Sequence, residues 1–330
     1  MRIINDPLNR LETVIDPQGG VTRCAYDPAG NPTNTALPNG ANTFREFDPL
    51  NRIAYIAHRN NSGVFASLRY TMDAVGNPTA IEEFGGRKAQ YTYDALDRLT
   101  EESIADPVNG DLAIDYAFDP VGNRLWKTEN GTRQTDCAYD SNDRLLTETS
   151  GSTSAVYAWD DAGRLNSKTI NGETAATYGW NALDHLRSAS SASSVVQFQY
   201  DADGIRVSKA VDGTETRFLI DQVQPYAEVV EEYAPGGSIA ASYVHGLGLI
   251  AQSRGGTLHW YHADHLGTTR ALSGVAGSVT DTYAFDAYGN LLTQTCTTPN
   301  PHLYTGQRLD PETGFYYLRA RYLAPDSGAS

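Results

Sequence analysis

Sulfur is scarce in this chain of 330 residues, which carries only two methionines and three cysteines. Cys24, Cys137 and Cys296 are far apart and odd in number, so neither a local metal site nor a disulfide framework is implied. Positive charge is also short: 25 Lys+Arg face 40 Asp+Glu, a formal charge of −15. A surface with that balance is unsuited to coating nucleic acid. No apolar run is long enough for a membrane-spanning helix, and "MRIINDPLNR" lacks the marks of a signal peptide. Walker, "GxSxG", "HExxH" and Rossmann fingerprints are missing. So is any 3.6-residue apolar stripe of helical length.

What the chain has instead is tyrosine, at 20 copies, and a phrase that it repeats. "FDPLNRI" (Phe47–Ile53), "YDALDRL" (Tyr93–Leu99), "YDSNDRL" (Tyr139–Leu145) and "WDDAGRL" (Trp159–Leu165) are versions of one another. Aligned on the acid, the anchors are Asp6, Asp27, Asp48, Asp73, Asp94, Asp119, Asp140, Asp160, Asn181 and Asp201, spaced by 20 to 25 residues. An eleventh copy surrounds Asp286. A fixed short period marks a repeat architecture. Midway between anchors stand Gly-centred turns such as Asn39–Gly40, Asn130–Gly131, Asn171–Gly172 and Asp212–Gly213, the chemistry of a type I′ hairpin.

Each period therefore reads strand, tight turn, strand, connector. Before the anchors Leu68, Tyr70 and Met72 alternate with polar residues, as do Ile114, Tyr116 and Phe118, and Val196, Phe198 and Tyr200. That alternation gives every strand one apolar face. The anchor acid is read as a turn residue whose carboxylate accepts a backbone N–H two positions on. Three residues after the anchors, Asn or Asp alternates strictly with Gly (Asn9, Gly30, Asn51, Gly76 and onward), which predicts connectors of two conformations. Lys127, Lys168 and Lys209 recur every 41 residues.

Ten hairpins supply about twenty strands, and a sheet of that size would be on the order of 95 Å wide. So wide an apolar face must curl over to cover itself. The expected fold is all-β, with tandem hairpins forming one large curled or spiral sheet. A β-propeller of four-stranded blades is the alternative. In the last third, His259, His262 and His265 with Asp264 are read as a turn cluster instead of a metal site. Tyr316, Leu318, Ala320 and Tyr322 are read as one face of a closing strand, whose Arg319 and Arg321 pair with Asp310 and Glu312.

The "YDxxGR/YDxxDRL" repeats, "WYHADHLGTTRAL" and "RLDPETGFYYLRARY" together resemble the YD-repeat (Rhs) proteins of the polymorphic toxin family, with their repeat-associated core. The resemblance implies YD hairpin repeats over 1–220 and a repeat-associated core over 221–330, truncated at its C-terminal end. It implies a hollow shell that encapsulates and delivers a C-terminal toxin cargo, with a secretion-machinery partner and no cofactor. It also implies a role in competition between bacteria, and a place as part of a longer protein, cytoplasmic before export and then secreted or on the cell surface. Many relatives cut off the toxin by aspartate-dependent self-cleavage, and the matching carboxylate is Asp310, with Arg308 beside it. Relatives typically read "ARYYDPxxGRF" where this chain reads "ARYLAPDSGAS", so Leu323 and Ala324 replace Tyr–Asp and Asp326 is the shifted candidate acid. Two further readings follow: a surface module binding carbohydrate or a neighbouring cell through rings such as Trp159 and Trp180, and a self-cleaving aspartic peptidase.

Overall fold

The computed structural model describes residues 1–223 and 226–327. Among them 28 strands, from Arg2–Asn5 to Leu291–Thr295, are hydrogen-bonded as one antiparallel sheet. Three short strands, Arg308–Asp310, Phe315–Tyr317 and Tyr322–Leu323, form a second sheet. Helix is confined, among the described residues, to a 3-10 turn at Tyr304–Gly306. From Leu112–Phe118 to Thr214–Asp221 each strand pairs with the next in sequence, with no blade boundary between them. A run of that length cannot be cut into four-stranded blades, so the propeller is set aside.

The anchor acid makes each connector. Asp6 accepts from the N–H groups of Leu8 and Arg10, both at 2.9 Å, while its other oxygen takes Arg10 Nε at 2.7 Å. The pattern recurs at Asp48, Asp94, Asp140 and Asp160 with Arg52, Arg98, Arg144 and Arg164. Donated N–H groups favour the charged form. They hold the Asp6 and Asp48 carboxyls below the usual range, chiefly through the backbone N–H of Arg10 and Arg52. The aromatic that precedes the acid is fixed too. Tyr26, Tyr139 and Tyr200 donate through their hydroxyls, and Trp159 and Trp180 through their indole N–H, to a carbonyl 14 or 15 residues upstream.

The two connector classes share the left-handed region of the backbone but occupy separate ranges of φ within it. Asn9, Asn51, Asp97, Asp143 and Asp184 have φ of 59–62°, and Gly30, Gly76, Gly122, Gly163 and Gly204 have φ of 78–106°, all left-handed. Asn and Asp tolerate φ near 60°, whereas the larger positive values of the second class suit Gly, so backbone geometry accounts for part of the alternation. How neighbouring connectors are laced alternates as well. In one class Arg52 and Arg98 donate to the carbonyls of Asp73 and Asp119, one repeat on, at 2.8 and 2.6 Å. In the other, Asn31 and Asn123 donate to the side chains of Asn51 and Asp143, each at 2.9 Å, and Arg164 donates to the Asp184 carboxylate at 3.0 Å as well as to the Asn181 carbonyl. The left-handed residue of the first class must therefore carry an acceptor, which Gly cannot.

The chain separates into two compact units. The first comprises Met1–Gln90, Ile104–Gly110 and Ala240–Leu309. Its core joins Val14, Leu37 and Ala41 to Val244, Ile250, Ala251 and Trp260. Asn39 fastens the two sequence ends by donating to Ser273 Oγ and the Gly274 carbonyl, and Asn60 by donating to the Gly277 carbonyl, all at 2.9 Å. At Gly277 any Cβ would stand 2.8 Å from the Asn39 carbonyl oxygen, so this approach needs glycine. The second unit comprises Tyr91–Ser103, Asp111–Ile239 and Asp310–Ser330. Its apolar face holds the alternating residues expected from the sequence: Ile114, Tyr116, Val196 and Phe198 are all buried.

Candidate functional site

In the second unit the segment that starts at Asp310 packs on the apolar face of the repeats. Phe315 stacks on Tyr178, with ring centroids 5.6 Å apart. Tyr322 exchanges a hydroxyl hydrogen bond with Tyr200 at 2.7 Å. Burial pushes the Tyr322 phenol up to about 12, so both rings stay neutral. The segment is not one strand. Phe315–Tyr317 turns back through Leu318–Arg321, with Arg319 at φ 65°, and Tyr322–Leu323 pairs against Tyr316 and Tyr317. A positive φ at Arg319 breaks the period-2 alternation, which is why a single continuous face was expected and is not found. Arg319 pairs with Glu228 at 3.0 Å instead of with Asp310 or Glu312.

Asp310 is fully buried. One carboxylate oxygen is 2.5 Å from Arg206 Nη1, and the other is 3.2 Å from Lys209 Nζ. Lys209 also holds Glu312 at 2.7 Å. The Arg206 guanidinium, 1% exposed, lies over the Tyr317 ring at 4.1 Å and the Phe198 ring at 5.0 Å. Burial alone would depress the Arg206 pKa, but the adjacent Asp310 carboxylate outweighs it and raises it. Two opposite charges thus compensate each other where neither could stand alone.

The other two expected site residues are held elsewhere. Asp326 is exposed, and its backbone carbonyl accepts from Arg124 at 3.0 Å. Arg308 belongs to the first unit, where it forms a β-bridge with His302. Gly328–Ser330, the end of "ARYLAPDSGAS", lie outside the described residues.

Arg206 was not anticipated, yet the repeat alignment carries a signal for it. Five positions after the anchor the chain places Leu11, Ile53, Leu99, Leu145, Leu165 and Leu186, but Arg124 and Arg206 in two repeats. Those two arginines, 6% and 2% exposed, are the ones that hold the C-terminal segment. A charge at a position otherwise apolar marks a partner from outside the repeat.

Beside this clamp lies a cavity of about 520 Å³. Trp159, Tyr178, Trp180, Phe315 and Tyr322 supply rings to its wall, and Lys168 also lines it. The histidine cluster of the first unit serves packing. His262 is buried against Ser273 Oγ at 2.8 Å and stands edge-on to His58, His259 meets Thr298 Oγ1 at 3.2 Å, and the His265 ring packs on Tyr70. Asp264 accepts from the N–H groups of Leu266 and Thr268, the same turn chemistry as the anchors.

Comparison with known proteins agrees with this architecture. The family model described as Teneurin YD-shell matches residues 79–329, and the RHS Repeat model matches residues 6–54. Salivary gland surface protein 1 of Aedes aegypti is 33% identical over 114 residues, covering 33% of this chain and 3% of the relative. The tRNA3(Ser)-specific nuclease WapA of Bacillus spizizenii is 31% identical over 105 residues, covering 30% of this chain and 4% of the relative. Among solved structures, TcdB2-TccC3-Cdc42 superposes with a TM-score of 0.72 at 17% identity, covering 99% of this chain and 20% of that one. TcdB2-TccC3-TEV superposes with a TM-score of 0.73 at 18% identity and the same coverage. The chain thus spans a small fraction of the length of these relatives. With the hairpin sheet, the anchor connectors and a family match over residues 79–329, the chain belongs to the Teneurin YD-shell family.

Proposed function

We propose that this chain is a stretch of wall from a toxin-enclosing YD shell, acting by enclosure and not by catalysis. The observation that carries the reading is the unbroken meander of hairpins, similar over 99% of its length to the TcdB2-TccC3 structures. A wall of this kind leaves few unpaired edges to recruit stray strands, which suits a carrier. Residues 221–330 serve as the repeat-associated core, and the wall is exported as part of a longer protein. Its partners are then a passenger toxin and the machinery that exports the whole. Asp310 acts as a fastener in this reading. A carboxylate working as acid or base must exchange a proton, and both Asp310 oxygens are already held by cations. Trp159 and Trp180 likewise spend their indole N–H groups on backbone carbonyls, which favours packing over sugar binding.

The test is protease protection in the natural gene product that contains this chain. A passenger that is digested many times more slowly inside that protein than when free supports enclosure. Equal rates overturn it.

A further inference from the structure

The 41-residue lysine series places the same side chain in three equivalent settings. Lys127, Lys168 and Lys209 each stand directly across from a buried ring of the preceding strand, Tyr116, Tyr157 and Phe198 respectively. Lys127 is neutralised by Glu129 at 3.0 Å, and Lys209 by Asp310 and Glu312. Lys168 has no such partner. The residue two positions on, which is Glu129 in the first case, is Ile170 here. Among the described residues its cation meets only the face of Tyr157, with Nζ 5.1 Å from the ring centroid. Lys168 lines the cavity of about 520 Å³ walled by Trp159, Tyr178, Trp180, Phe315 and Tyr322. The half-buried Lys168 ammonium thus has aromatic rings on one side and open volume on the other, where an entering anion would meet it.

The remaining charges at the cavity do not fill that place. Glu312 is taken by Lys209, Arg319 by Glu228, and Arg164 and Asp184 by each other at 3.0 Å. Arg321 and Asp326 are exposed at the mouth, where water screens them.

We propose that this cavity is a binding site for an extended peptide segment that carries a large apolar side chain close to an acidic one. The apolar group enters between the rings and the carboxylate closes on Lys168. Cation–π contact with Tyr157 pre-orients the ammonium, so the entering anion finds its donor in place. A segment of the enclosed passenger is the source, and on that point alone the inference rests on the enclosure reading.

The test uses the 330-residue chain and a fluorescein-labelled peptide of sequence Gly-Leu-Phe-Gly-Glu-Gly, followed by fluorescence anisotropy. Saturable binding is expected, weakened about tenfold or more when the peptide Glu becomes Gln, because a charge-assisted hydrogen bond is lost. The same loss is expected for Lys168→Met with the original peptide, and no change for Lys127→Met, whose charge is already paired. The peptide arm needs no altered protein, so a folding defect in Lys168→Met cannot mask the answer. Absence of binding, or equal binding of the Glu and Gln peptides, overturns the proposal. Passenger protection that persists while peptide binding fails removes this site and leaves enclosure standing. Peptide binding without protection does the reverse.

Discussion

Both units use C-terminal residues to fasten the repeats, but the most deeply buried joint of each has a different electrostatic character. In the first unit the joint around His58 and His262 is neutral, although Arg270 also pairs with Glu83 of the repeats at 2.6 Å. His58 lies 3.0 Å from Thr43 Oγ1, His262 lies 2.8 Å from Ser273 Oγ, and the two rings meet edge to face at 5.1 Å. Burial holds both below the ordinary histidine range, His262 at about 3, and the nearby cations Arg45 and Arg270 add to the effect at His58. In the second unit the joint is ionic, Arg206 against Asp310 with Lys209 in support. The contrast teaches that the fold tolerates buried polar side chains in two ways: by keeping them uncharged, or by pairing the charges in full. The two solutions should fail under different conditions.

The largest effect should come from leaving half of the ionic joint in place. Asp310→Ala strands Arg206, while Lys209 keeps Glu312, and is expected to cost about 3–5 kcal/mol, read by urea unfolding. Trp126, Trp159 and Trp180 lie in that unit and report on it, while Trp260 reports on the other. Arg206→Met combined with Asp310→Leu should recover most of the loss, since apolar groups of similar volume need no partner. Equal losses in the single and double variants would show that shape, not charge, holds the segment.

The neutral joint should yield to acid instead. Both histidines have folded pKa values below the unfolded value of about 6.5, so the unfolded state binds more protons below that pH. Their contribution is intact above pH 6.5 and shrinks as pH falls below it, for His262 by about 2 kcal/mol between pH 6.5 and 5. Hydrogen exchange at pH 5 should therefore loosen the strands Ile53–Asn60 and Thr257–Ala263 while those around Arg206 stay protected. Replacing His262 by Gln should remove one proton from the pH slope. A slope unchanged in that variant would place the acid sensitivity elsewhere.

Smaller again is the fastening by Asn39 and Asn60. Each bonds to groups more than 200 residues away, and truncation to Ala should cost on the order of 1 kcal/mol per side chain, confined to the first unit. The smallest effect is expected at a single connector. Asp119→Ala should speed exchange only at Val121, Gly122 and Asn123, whose N–H groups its carboxylate accepts.

Much of this was legible in the sequence because the repeats write the backbone rules many times over. The period fixed the strands, the anchor acid gave the turn, and the alternation at Ile114–Tyr116 and Val196–Phe198 gave the buried face. Contacts made once were not legible. Nothing in "RLDPETG" says that Asp310 meets a residue more than a hundred positions upstream, although the arginines at otherwise apolar positions 124 and 206 hint that something must. The turn at Arg319 was hidden for a related reason. A left-handed arginine has no sequence signature, since its conformation is imposed by the tertiary setting that places its guanidinium on Glu228.

The central claim is that successive ribbons are joined edge to edge without interruption, and cysteine cross-linking tests it most directly. With Cys24, Cys137 and Cys296 changed to Ser, cysteine pairs would be installed one at a time at Thr147 with Val156, Ala158 with Ser167, Ser167 with Thr177, Thr177 with Ser190, and Ser188 with Gln197. Those joints run across more strands than a four-stranded blade contains. The account predicts that every pair bridges under mild oxidation in the folded protein. A joint that refuses to bridge while its neighbours on both sides do would mark a break in the wall and contradict it.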